Sequence, residues 1–480
     1  MGGNQTINNA WQEGATTSSY LPDPKPGYGT HITEGSAADG WDHNPLGAAV
    51  SIKRYEGTTN SWNPLANTNA TAVNATPYLL FIRGDRGTSL GTNAAPATAT
   101  TLRATGSLRT SDQIISLGAQ SFTAIGNPYA SPINFAAIRR SGVENNFYLW
   151  DSKLGGEYGV GGYVLLSYNG SSYDVIPASV SPESQYIQSG QAFLVRSTSG
   201  TGGTMIMQTS TILSDAGSDN VFRVAGGAQG NGTPFRDVPV STSPAGLRIS
   251  LQTTNHDSSL SVVDEVLASY GSNFSNNIDS LDAHKPANMQ ENLAISRDGE
   301  LLMIERRQPL GENDMIQLKL WNTSAAKQYQ LEFSPVSLNT TASSAYLSDN
   351  YLHTTRPVDL RQPSRFFFSI DADPASANPY RFSVAFKADA GTLSDKAVIS
   401  MYPNPLEGRS IALSFTNQPQ GTYQLELVNS AGQTVYRTQI QHAGGSAVQH
   451  LQLTSKPASG TYLLKIANKT TRSTIKVVVD

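Results

Sequence analysis

Acidic side chains are concentrated between residues 279 and 298. Asp279, Asp282 and Asp298 place carboxylate oxygens at short spacing in one stretch of the chain, with His284 and Glu291 between them. Carboxylates on a loop are the ligands that Ca²⁺ prefers, so these three aspartates form a candidate calcium site, and calcium is the only cofactor that the sequence indicates. The spacing is not that of an EF-hand, and acidic loop residues also form turns and N-caps. Calcium binding and turn formation therefore both stay open.

A second polar cluster surrounds a tryptophan in the segment Asp39–Pro45. Tryptophan rings stack on the apolar faces of sugars, and neighbouring carboxylates and amides bind their hydroxyl groups. Trp41 and Asp42 are therefore candidate carbohydrate-binding residues. The alternative is a hairpin loop that carries a half-buried tryptophan.

Catalytic patterns are missing from the sequence. It has neither a Gly-x-Ser-x-Gly elbow, nor a His-Glu-x-x-His pair, nor a phosphate-binding Gly-x-x-x-x-Gly-Lys-Ser/Thr loop, and its seven histidines show no paired metal-ligand spacing. Without cysteine, disulfides and thiol nucleophiles are excluded. We expect a protein that is not an enzyme, although a catalytic domain upstream of this chain is an alternative. The tripeptide Arg83-Gly84-Asp85 follows an apolar strand, and we assign it no integrin-type role.

The composition limits which classes of partner the chain is expected to bind. Charged residues make up 15% of the chain, against about 25% in typical globular proteins. The net charge of −4, with no basic stripe, argues against nucleic acid as a partner. No apolar run is long enough for a transmembrane helix. The first residues, Met1–Thr6, do not resemble a signal peptide, so we expect an exported chain to be processed or part of a longer protein.

The elements that must position these side chains are β-strands. Short apolar and aromatic runs, punctuated by Gly, Asn, Asp and Pro, predict strands within Tyr78–Arg83, Tyr163–Tyr168, Phe193–Arg196, Leu247–Leu251, Ile316–Trp321 and Tyr380–Lys387. One or two helical turns are expected within Asn134–Arg140. We predict an all-β chain of tandem β-sandwich modules followed by a small C-terminal Ig-like β-sandwich.

Three domains are expected from the linker-like stretches. Residues 1–215 form β-rich modules in which 54–84 and 167–197 suggest an internal repeat of a hairpin followed by an apolar strand. Residues 216–390 form a jelly-roll-like β-sandwich, and residues 391–480 form a compact C-terminal domain. The alternative to the repeat is that any two hairpins look alike at this level.

The last segment has a clear strand-turn pattern. Tyr423, Leu425 and Leu427 alternate with polar residues, as do Tyr462, Leu464 and Ile466, and residues 430–433 read as a hairpin turn. Three short motifs follow one another: Tyr402-Pro403-Asn404-Pro405, then Gly432-Gln433-Thr434-Val435, then Gly460-Thr461-Tyr462.

These motifs resemble those of the type A C-terminal sorting domain of the type IX secretion system of Bacteroidetes. The resemblance covers roughly the last fifth of the chain, and it departs from the family in lacking a basic tail after Lys476. It implies that Tyr402, Pro403, Asn404, Pro405, Gly432, Gly460 and Tyr462 carry the sorting signal. It also implies a secreted protein at the outer-membrane cell surface, with the translocon and sorting machinery as partners. In the family the domain is usually cleaved and the mature protein joined to anionic lipopolysaccharide.

Two further parts of the chain resemble stretches of large surface proteins from the same bacteria: Phe122–Phe135, and Val263–Glu265 with Ile278–Lys285 following it. They imply stalk and adhesin-like modules. We therefore expect a structural or adhesin-type surface protein exported through its last domain. The alternatives are the carbohydrate-binding region of a larger polysaccharide-active protein, with a surface glycan as partner, and a self-associating subunit of a surface filament.

Overall fold

A computed structural model gives the structure of the chain. It describes residues 5–14, 26–47, 50–70, 76–92, 96–155, 160–168, 173–177, 183–198, 200–213, 245–255, 259–310, 314–338, 343–388, 398–402, 404–406 and 408–479. The described residues form two compact units. The first holds residues up to Leu154, residues 160–213 and residues 286–289, and the second holds Gly155, residues 245–285 and residues 290–479.

The first unit begins with a short helix and a three-stranded sheet. Its regular elements are α1 Ile7–Trp11, β1 Ile52–Glu56, β2 Ser61–Pro64, β3 Tyr78–Leu80, β4 Gln113–Leu117, β5 Phe122–Gly126, β6 Ile133–Asn134, β7 Arg139–Ser141, β8 Asn146–Asp151, β9 Gly162–Tyr168, β10 Tyr173–Ile176, β11 Tyr186–Ile187, β12 Ala192–Arg196 and β13 Gly203–Met207. The sheet β2-β1-β3 and the helix share a small core of Ile7, Ile32, Trp41 and Ile52.

A larger core lies in the rest of the first unit. The five-stranded antiparallel sheet β10-β9-β8-β12-β5 and the three-stranded sheet β4-β13-β7 both contribute to it. At its centre the rings of Phe135 and Phe147 stack 3.9 Å apart, and Phe193 meets both edge-on. Because β8 and β9 are buried on both faces, their sequences are nearly continuous apolar runs rather than alternating ones.

The second unit contains one eleven-stranded sheet around a single core. Its strands are β14 Gly246–Thr254, β15 Leu260–Tyr270, β16 Ala283–His284, β17 Asn292–Arg297, β18 Glu300–Arg307, β19 Met315–Trp321, β20 Gln328–Val336, β21 Ser343–Asp349, β22 Thr354–Val358, β23 Ser364–Ser369 and β24 Phe382–Ala388. The order is β22-β21-β24-β19-β17-β18-β15-β14-β20-β23, with β16 beside β18, and only β15 and β18 pair in parallel.

This sheet folds over itself as a sandwich. Phe368 lies on the edge strand β23 and Phe382 lies near the opposite edge, yet their rings are 4.8 Å apart. A twisted sheet of this width must curl, and curling here buries the inward residues of both halves in one core.

A smaller sandwich follows in the same unit. It consists of β25 Val398–Tyr402, β26 Ser410–Gln418, β27 Gly421–Asn429, β28 Thr434–His442, β29 Gly445–Gln452, β30 Gly460–Ala467 and β31 Arg472–Val479. The sheets β25-β26-β29 and β28-β27-β30-β31 enclose a core of their own, which includes Phe415, Tyr423 and Leu464.

The all-β prediction is confirmed, and the strands within Tyr163–Tyr168, Phe193–Arg196, Leu247–Leu251 and Ile316–Trp321 lie where the sequence placed them. The strand predicted within Tyr78–Arg83 stops at Leu80, and Phe81 is mostly exposed. The turn predicted after Pro132 is a 3-10 helix, Phe135–Ala137, capped by the Asn134 side chain.

The predicted domain boundaries near residues 215 and 390 lie outside the described residues, and the three-domain division stays a prediction. The two stretches of the suggested repeat both form hairpins, β1-β2 and β9-β10. Their third strands pair differently: β3 pairs with the first strand of its hairpin, whereas β12 pairs with β8 and β5.

Candidate functional site

The small C-terminal sandwich carries the residues of the predicted sorting signal. Strand β27 buries Tyr423, Leu425 and Leu427 completely and leaves the residues between them more exposed, as the alternation predicted. Strand β30 repeats the pattern with Tyr462, Leu464 and Ile466. The domain therefore has a fixed core and presents its polar faces outward.

The Asn404 side chain behaves as an additional piece of strand. Its amide nitrogen donates to the carbonyl oxygen of Lys476 at 2.7 Å, and its amide oxygen accepts from the backbone N–H of Val478 at 2.8 Å. Leu406, fully buried, continues this pairing by donating its backbone N–H to the Val478 carbonyl oxygen at 2.7 Å. Residues 404–406 thus cover the outer edge of β31, which would otherwise expose unpaired backbone groups.

The Gly-Thr-Tyr motif forms a corner, and it occurs twice. Gly421 and Gly460 have φ values of 155° and 153°, a backbone conformation that residues other than glycine rarely adopt. Two residues later, the hydroxyl of Tyr423 donates to the Pro419 carbonyl oxygen at 2.9 Å, and the hydroxyl of Tyr462 donates to the Ala458 carbonyl oxygen at 2.8 Å. The motif therefore fixes how the chain enters two neighbouring strands.

The Gly-x-x-Val motif lies at the β27-β28 hairpin. Gly432 adopts φ 81° in the turn, where the Asn429 side chain accepts from the backbone N–H groups of Ala431 and Gln433. Val435 follows at a bulge in β28 and is 46% exposed.

An apolar patch faces outward beside this turn. Leu463 is 42% exposed and pairs across the sheet with Val428, which is buried although it points away from the core. Val435, Val428 and Leu463 form the patch, and we call it the outer patch. An ion pair between Arg437 and Glu426 at 2.5 Å lies on the same face. The sequence motif identified Val435, but Leu463 and Leu406 were missed because their roles depend on pairing between distant strands.

Pro403 of the predicted signal lies outside the described residues, and only the backbone of Tyr402, at the end of β25, is described. The structure brings Asn404 and Pro405 to the edge of β31, whereas Gly432 and Gly460 lie at turns. The signal is therefore a set of structural positions spread over the domain.

The candidate calcium residues have other partners. Asp282 is buried and accepts from the backbone N–H groups of Asp279 and Arg306 at 2.8 and 2.7 Å, and burial raises its pKa. Asp279 accepts from Leu281 N–H, and Asp298 lies on the β17-β18 turn with its side chain 75% exposed beside Arg297. Among the residues that the structure describes, no three histidine or acidic side chains group as metal ligands. The structure assigns these carboxylates to turns and backbone hydrogen bonds instead of a shared ion.

Trp41 and Asp42 belong to the core of the first unit. The Trp41 ring is 2% exposed and packs so closely on Gly35 that a Cβ there would lie 2.2 Å from it, which leaves the ring no open face for a sugar. One Asp42 oxygen receives Arg86 at 2.6 Å and the Ile32 N–H at 2.8 Å. The carbohydrate assignment is therefore replaced by a structural one: a buried ion pair next to a core tryptophan.

Buried charges in the second unit are also paired. Lys285 lies 2.8 Å from Asp264, and both side chains are fully buried. Glu305 receives Arg297 at 2.9 Å and Arg307 at 2.7 Å. The Lys285–Asp264 and Arg297–Glu305 pairs join different segments of the sheet, whereas Arg307 and Glu305 both lie on β18. These charges therefore serve the packing of the sheet.

Two family models match the chain. Residues 48–386 match the family described as "Domain of unknown function (DUF8693)", and residues 400–480 match the family described as "Secretion system C-terminal sorting domain". A search of curated proteins found no match. No helix in the described residues is long and apolar enough to cross a membrane.

The second match coincides with the small sandwich and all three of its motifs, which confirms the resemblance to type IX sorting domains. The domain directs the protein to the cell surface or the extracellular space and implies contact with the type IX secretion machinery. The first match spans most of the chain, so the protein belongs to the DUF8693 family and ends in a secretion system C-terminal sorting domain.

Proposed function

We propose that the protein is a non-enzymatic, adhesin-type structural protein of the bacterial surface. The observation that carries the proposal is the architecture of the second unit. One sheet of eleven strands surrounds a single core, and the sorting domain follows this sheet along the chain. A folded sandwich of this kind offers broad, rigid faces for binding. Several of its buried acids and bases lie in ion pairs such as Lys285–Asp264 and Arg381–Asp349, which supports a structural role for these pairs.

Export supplies the location for this role. The sorting domain has its own core, and residues 404–406 cover the edge of β31, which supports recognition of a folded domain by the secretion machinery. The exported modules then act outside the cell, where binding a surface or another cell is the function that we propose for residues 48–386.

The adhesive role can be tested in the bacterium that makes the protein. A strain whose gene lacks residues 48–386 but keeps residues 398–480 is expected to export the remainder and to lose attachment to its surface or partner cells. Attachment at the level of the unmodified strain would contradict the adhesive role. The non-enzymatic role requires that the purified chain release no products from polysaccharide or protein substrates, and any sustained turnover would overturn it.

A further inference from the structure

The strands β19, β24 and β21 are neighbours in the large sheet and share one outward face. Their inward residues Leu318, Val384 and Leu347 are buried in the core, so the alternate residues point away from it. The outward residues are partly or fully exposed, and Met315 reaches 52% exposure. We call this surface the outer face, and its residues are Met315, Gln317, Lys319, Trp321, Ser344, Tyr346, Ser348, Ser383, Ala385 and Lys387, with Tyr380 at its rim.

Three aromatic side chains lie on the outer face. Trp321 ends β19, Tyr380 precedes β24 and is 44% exposed, and Tyr346 lies on β21. Tyr346 is in register with Ala385, which is in register with Met315, six residues before Trp321. The aromatic rings are therefore spread over about 20 Å along the strands, an arrangement suited to an extended ligand rather than to one small molecule.

Two lysines give the outer face a positive charge. The Lys319 ammonium lies 5.6 Å from the ring centres of both Trp321 and Tyr380, and the Lys387 ammonium lies 5.5 Å from that of Tyr346. Neither lysine forms an ion pair within the described part of the chain, although the other lysines at the sandwich, Lys285 and Lys327, do. The two lysines therefore give the outer face a local positive charge, although the net charge of the chain is −4.

Polar groups fill the space between the rings. Ser348 and Ser383 are adjacent across β21 and β24, and Gln317 is in register with Ser383 on β19. Serine hydroxyls between aromatic rings offer the donors and acceptors that sugar hydroxyls need. The Gln317 amide nitrogen, by contrast, already donates to the carbonyl oxygens of Leu318 and Phe382, at 3.0 and 2.9 Å.

We propose that the outer face binds an anionic polysaccharide. The rings stack on the apolar faces of the sugars, and the ammonium groups of Lys319 and Lys387 attract its carboxylates or sulfates. Charge complementarity favours an acidic polymer over a neutral one. This inference rests on the proposed surface-binding function and names its ligand class.

The test uses the purified full chain, with polygalacturonate and neutral dextran as probes. We expect the chain to bind polygalacturonate more tightly than dextran, and the affinity to fall as salt is added. The Trp321→Ala/Tyr380→Ala variant is expected to lose about tenfold or more in affinity. The Lys319→Gln/Lys387→Gln variant is expected to lose most of the preference for polygalacturonate and most of the salt dependence.

Matched controls lie elsewhere on the surface. Tyr168→Ala removes another exposed aromatic ring and Lys469→Gln another exposed lysine, and both are expected to bind as the unmodified chain does. If polysaccharide extracted from the producing cells competes for binding, the ligand is the cell's own polymer. If it does not compete, the ligand is an external polymer.

Equal affinity for polygalacturonate and dextran, no binding to either, or equal losses in the control variants would overturn the inference. If the chain fails to bind these polymers but deletion of residues 48–386 still abolishes cell attachment, the inference of an anionic ligand is wrong while the adhesive function stands. The two failures are therefore distinguishable.

Discussion

At the scale of single residues, much of the polar chemistry of this chain is directed inward. The guanidinium of Arg381 is an example: it donates two hydrogen bonds to Asp349, at 2.9 and 2.8 Å, and others to the carbonyl oxygens of Ser369 and Ser376. The rings of Tyr351, Phe368 and Phe382 surround it within 5.4 Å. This one side chain connects β21, β23 and β24. Nothing in its local sequence indicates that role, because its partners come from distant positions.

Replacing Arg381 by methionine should destabilise the large sandwich. The Asp349 carboxylate would keep its buried position without its cation, and removing one partner of such a pair costs about 3–5 kcal/mol. Hydrogen exchange resolved by mass spectrometry should show the loss of protection in β21 and β24.

Arg365→Met is the matched control, because Arg365 is 49% exposed and its pair with Glu332 should contribute about 1 kcal/mol or less. Equal losses of protection in the two variants would contradict the structural role of Arg381.

Asp85 shows a similar use of charge in the first unit. Its carboxylate accepts from Thr98 Oγ1 at 2.8 Å, from Gly87 N–H at 3.0 Å, from Thr88 Oγ1 and from Gly27 N–H. Asp85 is 6% exposed, so the Arg83-Gly84-Asp85 tripeptide does not present its carboxylate to a partner. Burial acts to raise the pKa of Asp85, but the four donors more than offset it and hold the pKa below its ordinary value of 3.8.

Acid should therefore weaken the first unit through Asp85. Because its pKa is lower in the folded than in the unfolded chain, the carboxylate stabilises the fold above the unfolded value, and this contribution is lost as pH falls through the folded value. The Asp85→Asn variant should be less stable by about 1–3 kcal/mol at neutral pH, and the difference should shrink between about pH 4 and pH 2.

Hydrogen exchange of residues 26–30 and 84–88 at several pH values would measure this difference. Asp298→Asn, with an exposed carboxylate, serves as the control and should change little at any pH. A difference for Asp85→Asn that stays constant down to pH 2 would contradict the argument.

At the scale of elements, the sequence predicted strands well and their partners poorly. Period-two alternation identified β27 and β30 because each strand has one buried face and one solvent-exposed face. The same rule could not show that β12 joins β8 and β5, or that β15 and β18 pair in parallel, since pairing depends on long-range contacts. The two Gly-Thr-Tyr corners lie at equivalent points of β27 and β30, a repeat visible in the sequence once the φ requirement at Gly421 and Gly460 is known.

The outer patch is the element that we expect the secretion machinery to contact. Leu463→Glu should reduce export strongly while leaving the fold intact, because the side chain points away from the core and lies on the face that carries Val435. Secretion of the full chain into the medium or onto the cell surface would be measured by immunoblotting of cell fractions.

Gln439→Glu adds the same charge to an exposed position on the same strand as Val435 and should export normally. If both variants are exported equally, the machinery reads another part of the domain.

At the scale of the whole molecule, the sequence located the sorting domain and missed the exposed binding surface. Three motifs in order identified the tail because they mark turns and a strand edge that the fold requires. Trp41 attracted attention because its neighbours are polar, yet it is buried, while Trp321 lies in an ordinary apolar strand and is partly exposed. The difference between them is which side of a folded sheet each residue faces, and only the packing of eleven strands decides that.

Removing β31 should abolish export of the entire protein. Val477 and Val479 are buried in the core of the sorting domain, and the strand supplies the backbone groups that Asn404 and Leu406 bind. A chain ending at residue 471 should accumulate in the periplasm, whereas Asn404→Ala, which loses two hydrogen bonds, should be exported with reduced yield. Normal surface display of the shortened chain would contradict the need for a complete sandwich.

The bonds between Asn404 and β31 also make closure of this sheet edge depend on synthesis of the whole domain. An early segment of the domain reaches its partners only after some seventy further residues have been synthesised. A prematurely terminated or proteolytically clipped product would therefore lack the finished shape that admits it to the exporter. The same bonds that close a sheet edge would then act as a quality check, so that only intact copies of the protein reach the cell surface.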